Sequence, residues 1–288
     1  MRKMLIVGLA AAVSAWAYPQ EGGGGGGGGD VVIAVRVAAA VAAVHIASGA
    51  AAQTRDWDWK GRVDRGDVIE IRGVNGSVRA ERTSGGEVEV VARIRSRKSD
   101  PESVRMEVVE HAGGVTVCAV YPSKDRDRPN ECGGRRGQNV RDNDVVVDFT
   151  VRVPSGVRFD GRTVNGDVDV GRLDADVEAR TVNGSVDISS SGLAEASTVN
   201  GSITASMGRA DWEGKLSFTT VNGSVTLEFP ADLSCEVDVS TVNGSVSSDF
   251  PITVTGRFSP RELRGTIGDG GRELKIQTVN GSVFIRRI

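Results

Sequence analysis

The stretch TVNGSV at residues 181–186 returns at 220–225, 241–246 and 278–283, with near copies TVNGDV at 163–168, TVNGSI at 198–203 and GVNGSV at 73–78. A catalytic site is normally written once, so seven copies point first to architecture. Asn-Gly between β-formers is the usual signature of a two-residue hairpin turn. Parity argues against a hairpin here. A turn at Asn183-Gly184 would put Val182 with Ser185 and Thr181 with Val186, mixing apolar and polar residues on each face. One continuous strand instead separates Val182, Gly184, Val186 and Ile188 from Thr181, Asn183, Ser185 and Asp187, which is the period-2 pattern of a half-buried strand. This reading puts the glycine on the inward side, where the chain bends or packs closely.

Just upstream, the alternation breaks at a fixed place. Ala179 to Val182, Ala196 to Val199, Phe218 to Val221, Val239 to Val242, Ile276 to Val279 and Ile71 to Val74 all step by three. A repeated parity break predicts a corner between two strands of one coil, with Thr at the corner in five of the six. The Asn-to-Asn steps from 165 are 18, 17, 22, 21 and 37, and the last gap contains a degenerate match, Leu263-Arg264-Gly265-Thr266-Ile267. The repeat positions are therefore Asn75, Gly76, Asn165, Gly166, Asn183, Gly184, Asn200, Gly201, Asn222, Gly223, Asn243, Gly244, Gly265, Asn280 and Gly281. Coils of this length stacked at about 4.8 Å per layer give an all-β fold, a parallel β-helix-like solenoid. An antiparallel meander is the competing arrangement.

Four segments follow. Residues 1–52 read as export signal and linker, 53–86 as an N-terminal cap and first coil, 87–157 as longer, less regular β strands, and 158–288 as tandem coils. Trp57 and Trp59 alternate ahead of the first coil and read as an end cap. Within 1–52, Arg2 and Lys3 precede an apolar run ending Ala15-Trp16-Ala17, and eight glycines at 22–29 separate it from a second apolar run ending Ala50-Ala51-Ala52. Tandem signals, a membrane anchor and a start site placed too far upstream all account for this, and all send the chain out of the cytoplasm to the periplasm or cell surface. Membrane contact is expected only through an uncleaved N-terminal segment.

If Gln53 is the mature start, the chain loses Arg2, Lys3, Arg36, Glu21 and Asp30, leaving 32 basic and 36 acidic residues, a net charge of -4. That balance offers no footprint for nucleic acid. Arg135-Arg136 reads as a solvated loop. Among three cysteines, Cys118 and Cys132 bracket a loop with little apolar content and are expected to be bridged, whereas Cys235 alternates with Val237 and Val239 as a small core residue. Their spacing is not that of a zinc site.

Catalytic chemistry finds little support. His111 lies in a predicted turn without a nucleophile-elbow sequence. Asp167, Asp169, Asp174 and Asp176 are the nearest approach to the paired carboxylates of a polysaccharide-cleaving enzyme, but they fall on outward positions. The glycine tract lacks the Lys-Ser/Thr of a phosphate loop. Asn-Gly-Ser is formally a glycosylation acceptor, yet strand geometry accounts for it. No cofactor is expected. The outward Asn and Thr columns suggest ladders that stabilise the stack or bind a regular polymer, so the partners considered are glycan, cell wall or a second copy of the chain.

The segments DWDWKGRVDRGDVIEIRGVNGSV (56–78) and VVVDFTVRVPSGVRFDGRTVNGDVDV (145–170), with the TVNGSV copies, resemble the bacterial exported putative-adhesin family with β-strand repeats, whose central domain has no assigned function. The resemblance spans about residues 55–288. It implies the fold and a structural or adhesive envelope role, without catalytic residues. CAVYPSKDRDRPNEC (118–132) is similar to a cysteine-bracketed loop of some members, which supports the bridge.

Overall fold

A computed structural model describes residues 53–133, 137–140, 142–254, 259 and 261–288. The two apolar N-terminal runs, the glycine tract and Arg135-Arg136 lie outside the described residues.

Strand β1 (Gln53–Gly61) precedes the first coil, formed by β2 (Val68–Arg72) and β3 (Val78–Thr83). An insertion follows, with β4 (Val88–Ser96), the antiparallel pair β5 (Arg105–His111) and β6 (Gly114–Val120), and β7 (Val146–Pro154). Regular coils then run from β8 (Arg158–Arg162) to β9 (Val168–Leu173), β10 (Val177–Arg180) to β11 (Val186–Ser190) and β12 (Ala194–Ser197) to β13 (Ile203–Met207). Two more are β14 (Lys215–Thr219) with β15 (Val225–Phe229) and β16 (Cys235–Ser240) with β17 (Val246–Ser248). The antiparallel pair β18 (Thr253–Val254) and β19 (Glu262–Ile267) comes before the last coil, β20 (Glu273–Gln277) and β21 (Val283–Arg287).

The strands form two sheets. One runs β1-β4-β7-β3-β9-β11-β13-β15-β21-β17 and the other β18-β19-β16-β20-β14-β12-β10-β8-β2-β6-β5. Every coil gives one strand to each sheet, and the pairs between regular coils are parallel and in register, as with Val177 opposite Ala194 and Val186 opposite Ile203. This is a β-solenoid, and the parallel pairing excludes the meander. Inward residues from the two sheets, such as Val168, Val186, Ile203, Val225 and Val283 facing Phe159, Ala179, Phe218 and Ile276, are almost wholly buried. Thin layers of valine suffice because each coil covers the next.

The insertion extends both sheets instead of docking on their flank. β4 and β7 pair antiparallel, and β7 then pairs parallel with β3, while β6 pairs parallel with β2 and antiparallel with β5. All seven residues of β6 are buried; Cys132 is bridged to its Cys118, and Gln138 Nε2 donates to its Ala119 carbonyl at 2.7 Å. Cys118 and Cys132 are bridged, with 5.5 Å between their Cα atoms. β1 is the edge strand of its sheet, and Trp57 and Trp59 pack against the core from there.

The structure corrects one repeat position and shows a layer order that departs from chain order. Gly265 is not a corner: it lies within β19, opposite Val237 of the antiparallel neighbour β16. A Cβ there would meet Ile252 Cγ2 and the Thr253 carbonyl at 2.6 Å, so glycine is selected by the crossing chain and not by the repeat. Because β18 and β19 cover β16 from its outer side, the final coil enters beneath it. The layer order of the asparagines is 75, 165, 183, 200, 222, 280, 243.

Candidate functional site

The corner falls within Val-Asn-Gly-Ser itself and not just upstream of it, so the stretch is not the one continuous strand expected: β10 ends at Arg180 and β11 begins at Val186 in the other sheet. This reverses part of the expected parity. Thr163, Thr181, Thr198, Thr220, Thr241 and Thr278 are buried, while Val164, Val182, Val199, Val242 and Val279 are exposed. The reason lies in the backbone carbonyls of the stack. Each corner Thr donates its Oγ1 hydrogen to the Gly carbonyl of the layer before it: Thr181 to Gly166 at 2.8 Å, Thr198 to Gly184 at 2.9 Å, Thr220 to Gly201 at 2.8 Å and Thr278 to Gly223 at 2.9 Å. A buried carbonyl that turns out of the sheet ladder needs such a donor. Valine has no hydroxyl and is displaced to the surface.

Glycine is required by close approach. A Cβ on Gly184 would sit 2.0 Å from the Gly166 carbonyl oxygen, and Gly201, Gly223, Gly281 and Gly244 each meet the glycine of the preceding layer at the same distance. Asparagine completes the edge. Asn165 Nδ2 donates to Asn75 Oδ1, and the ladder continues through Asn183, Asn200, Asn222, Asn280 and Asn243 at 2.7–2.8 Å. The serine Oγ atoms accept the next Ser N–H in the upper layers, as from Ser224 to Ser202 at 3.2 Å. At the lower end Asp167 takes this place and accepts from Ser185 N–H at 2.8 Å.

The product is a seven-layer edge about 30 Å long, taking ~4.8 Å per layer. It carries exposed valines beside a column of asparagine amides. Each of the five inner amides, from Asn165 to Asn280, spends one N–H and part of its oxygen on the ladder. Its second N–H and a carbonyl lone pair remain for an external partner.

A second ordered surface covers the other sheet. Glu70, Asp160, Glu178 and Glu195 stand in register, and Arg72, Arg162 and Arg180 form the adjoining row. Arg72 donates to Glu70 at 2.7 Å and Arg162 to Asp160, while Arg180 pairs with Glu178. Burial pushes the Glu70 carboxyl up, but hydrogen bonds from Arg72 and Thr116 and the nearby arginine charges outweigh it, leaving its pKa below the ordinary value. Ser197 stands where the arginine row would continue, and burial raises the pKa of Glu195. Sequence reading missed these rows. Their signal was an acid two residues before an arginine ahead of the corner, in Glu70-Ile-Arg72, Asp160-Gly-Arg162 and Glu178-Ala-Arg180.

The four aspartates considered as a catalytic group are dispersed among separate partners. Asp169 pairs with Arg79 at 2.9 Å, Asp174 with Arg82 at 2.8 Å, and Asp176 accepts from the Leu193 N–H at 2.9 Å. Asp187, beside Asp169, is raised by burial and by the charges of Asp169 and Glu228. His111 Nε2 lies 3.2 Å from Thr116 Oγ1. The Cys235 thiol is buried and pushed up to about 12 by desolvation, which makes it a poor nucleophile. Among the described residues, no group of three or more His, Cys, Asp or Glu side chains is placed to hold a metal ion. No described helix is long and apolar enough to cross a membrane.

A family model described as Toastrack DUF4097 matches residues 148–286. This segment is similar to that family. The matched segment begins within β7 and reaches into β21, so the corner ladder from Asn165 to Asn280 lies within it. Among solved structures, the chain is similar to a "putative cell adhesion protein" from Clostridium sporogenes, at 10% identity and TM-score 0.44, over 81% of this chain and 100% of that one. It is also similar to a "putative adhesin" from Bacteroides fragilis, at 14% identity and TM-score 0.35, over 83% and 97%. A third, a "putative lipid binding protein" from Parabacteroides distasonis, gives 9% identity and TM-score 0.24, over 82% and 96%. At these values the likenesses speak to neither ligand nor activity. No curated protein matches the chain.

Proposed function

We propose that this protein is an exported, non-enzymatic β-solenoid with a structural or adhesive role in the bacterial envelope, and that its Val-Asn-Ser edge contacts a repetitive glycan such as a cell-wall polymer. The seven-layer edge carries the reading. It repeats the asparagine amide at each layer and exposes the valine at five of the seven, Val74 being buried and Val221 half-buried, so a periodic ligand meets weak contacts in register, and multivalency converts them into firm attachment. A regular polymer can use such a surface without a pocket. The N-terminal apolar runs support export.

Retention of the purified chain on insoluble cell-wall polysaccharide tests it. Val182→Asp with Val199→Asp places two charges in the middle of the edge at exposed positions and is expected to abolish retention while leaving the melting temperature within a few degrees. Unchanged retention would remove the edge from consideration. Digestion by protease added to intact host cells would support a surface location, and protection until the envelope is opened would restrict the role to the periplasm.

A further inference from the structure

Each corner in the stack has two sets of hydrogen-bonding groups, one for the layer before and one for the layer after. In the β14–β15 coil the second set is fully used. The Val221 carbonyl accepts from Asn280 N–H at 2.8 Å, Asn222 Oδ1 from Asn280 Nδ2 at 2.7 Å and the Gly223 carbonyl from Thr278 Oγ1 at 2.9 Å. Gly223 N–H donates to the Asn280 carbonyl at 2.9 Å, and Val225 N–H to the Ser282 carbonyl at 3.0 Å.

The β16–β17 coil is the last layer, and there the same set is unused. Its first set is satisfied: Asn243 N–H donates to the Val279 carbonyl at 2.8 Å and Thr241 Oγ1 to the Gly281 carbonyl at 2.8 Å. The Val242 carbonyl, Asn243 Oδ1, the Gly244 carbonyl and N–H, and the outward Val246 N–H meet no partner among the described residues. β17 ends its sheet, whereas β19 and β18 close the other sheet at the same end. Val242 is accordingly 55% exposed, against 37–39% for Val164, Val182, Val199 and Val279.

We infer that this open end binds a Thr-x-Asn-Gly-Ser corner, followed by an extended strand, supplied by a separate polypeptide. An ordinary edge-pairing strand would satisfy Val246 N–H. It would leave Asn243 Oδ1 and the Gly244 carbonyl bare, since these ask for an Asn amide and for a hydroxyl three residues before the glycine. Glycine is required in the incoming chain for the reason seen within the stack, where a Cβ at that position falls 2.0 Å from the carbonyl of the layer below. The partner is therefore specified at three residues of five. A folded second copy does not supply it. All its corners are stacked, and the one at the opposite end is covered, with Val147 N–H on the Asn75 carbonyl at 2.8 Å and Phe149 N–H on the Ser77 carbonyl at 2.9 Å. The inference is independent of what the flat edge binds.

A fluorescent peptide of the chain's own coil, residues 215–229 (KLSFTTVNGSVTLEF), is the probe, titrated against the purified full chain. Saturable binding is expected, with slowed amide exchange at Gly244 and Val246. The peptide carrying Gly223→Ala should lose at least tenfold in affinity. In the protein, Asn243→Ala should weaken binding about fivefold, the effect of one hydrogen bond, and Val246→Pro should abolish it, each variant being checked for an unchanged far-UV spectrum. The proposal is overturned by absence of saturable binding, by equal binding of the Gly223→Ala peptide, or by amide protection away from residues 242–248. The peptide arm stands even where a protein variant fails to fold.

Discussion

The regular coils and the insertion at 87–157 extend the same two sheets by different means. In the coils, the corner threonine and asparagine each repeat one contact six times over, so the layers are held by their neighbours in the same way. The insertion uses contacts made once. Tyr121 donates its buried hydroxyl to the Val145 carbonyl at 2.9 Å and reaches the Asn75 carbonyl at 3.3 Å. Asp144 accepts from the backbone N–H of Ser99, Lys98 and Arg97. A disulfide ties the covering loop to β6. Repetition makes stability a property of the interface between layers, whereas the insertion depends on individual residues.

The largest expected effect separates the two kinds of glycine. Gly223→Val puts a branched side chain against the Gly201 carbonyl and should cost about 4 kcal/mol or more, or prevent folding. Gly86, beside the insertion, has nothing within 4 Å of a built Cβ, and Gly86→Ala should stay within about 0.5 kcal/mol. Thermal melting of both decides it, and an unchanged midpoint for Gly223→Val would refute the close-approach account.

Next comes Cys118→Ser with Cys132→Ser. The 14-residue separation predicts a loss of about 3 kcal/mol in unfolding free energy by denaturant titration. Amide protection should fall in β5, β6 and the loop while the coils beyond β9 keep theirs. Equal loss throughout would mean that the two regions unfold as one.

Smaller effects compare single hydroxyls. Thr220→Val and Tyr121→Phe each leave a buried carbonyl short of a donor, at about 1–2 kcal/mol apiece in the same titration. If Thr220→Val proves neutral, burial of threonine at the corner needs another cause.

The smallest effect is a pH dependence. Backbone N–H donation, above all from Ser99, lowers the Asp144 pKa from 3.8 to about 2. A carboxylate depressed in the folded state stabilises fully above its unfolded pKa and ceases to do so as pH falls through the folded one. The melting difference between the wild type and Asp144→Asn should therefore be constant at neutral pH and shrink between about 4 and 2. A difference that persists near pH 2 would show that charge is not its source.

Much of the fold was legible because a period-2 pattern interrupted at a fixed place constrains the chain strongly. The hairpin was rejected on a face assignment that does not hold, since Thr181 and Val186 are buried and Val182 is exposed, and it is the parallel pairing of separate sheets that rules it out; the corner was placed within two residues of its true position. The valine and threonine of the corner were assigned to the wrong sides because hydropathy favours burying Val182 over Thr181, and only the stacked carbonyl of Gly166 outweighs that preference. Gly265 was misassigned because a short match in a sequence gap carries no information on strand direction. The acid–arginine rows were written as acid-x-Arg, but their meaning depended on which strands lie side by side.

The sequence alone determined a repeated strand–corner–strand unit, because a period-2 pattern broken at a fixed place constrains local geometry; that these units stack in parallel was decided by the pairing between layers. Tertiary structure alone decided the order of the layers. The corners at 220–225, 241–246 and 278–283 are identical in sequence, so nothing local distinguishes their neighbours, and the antiparallel return of β19 onto β16 places the final coil beneath its predecessor. That same return leaves β17 as the open edge.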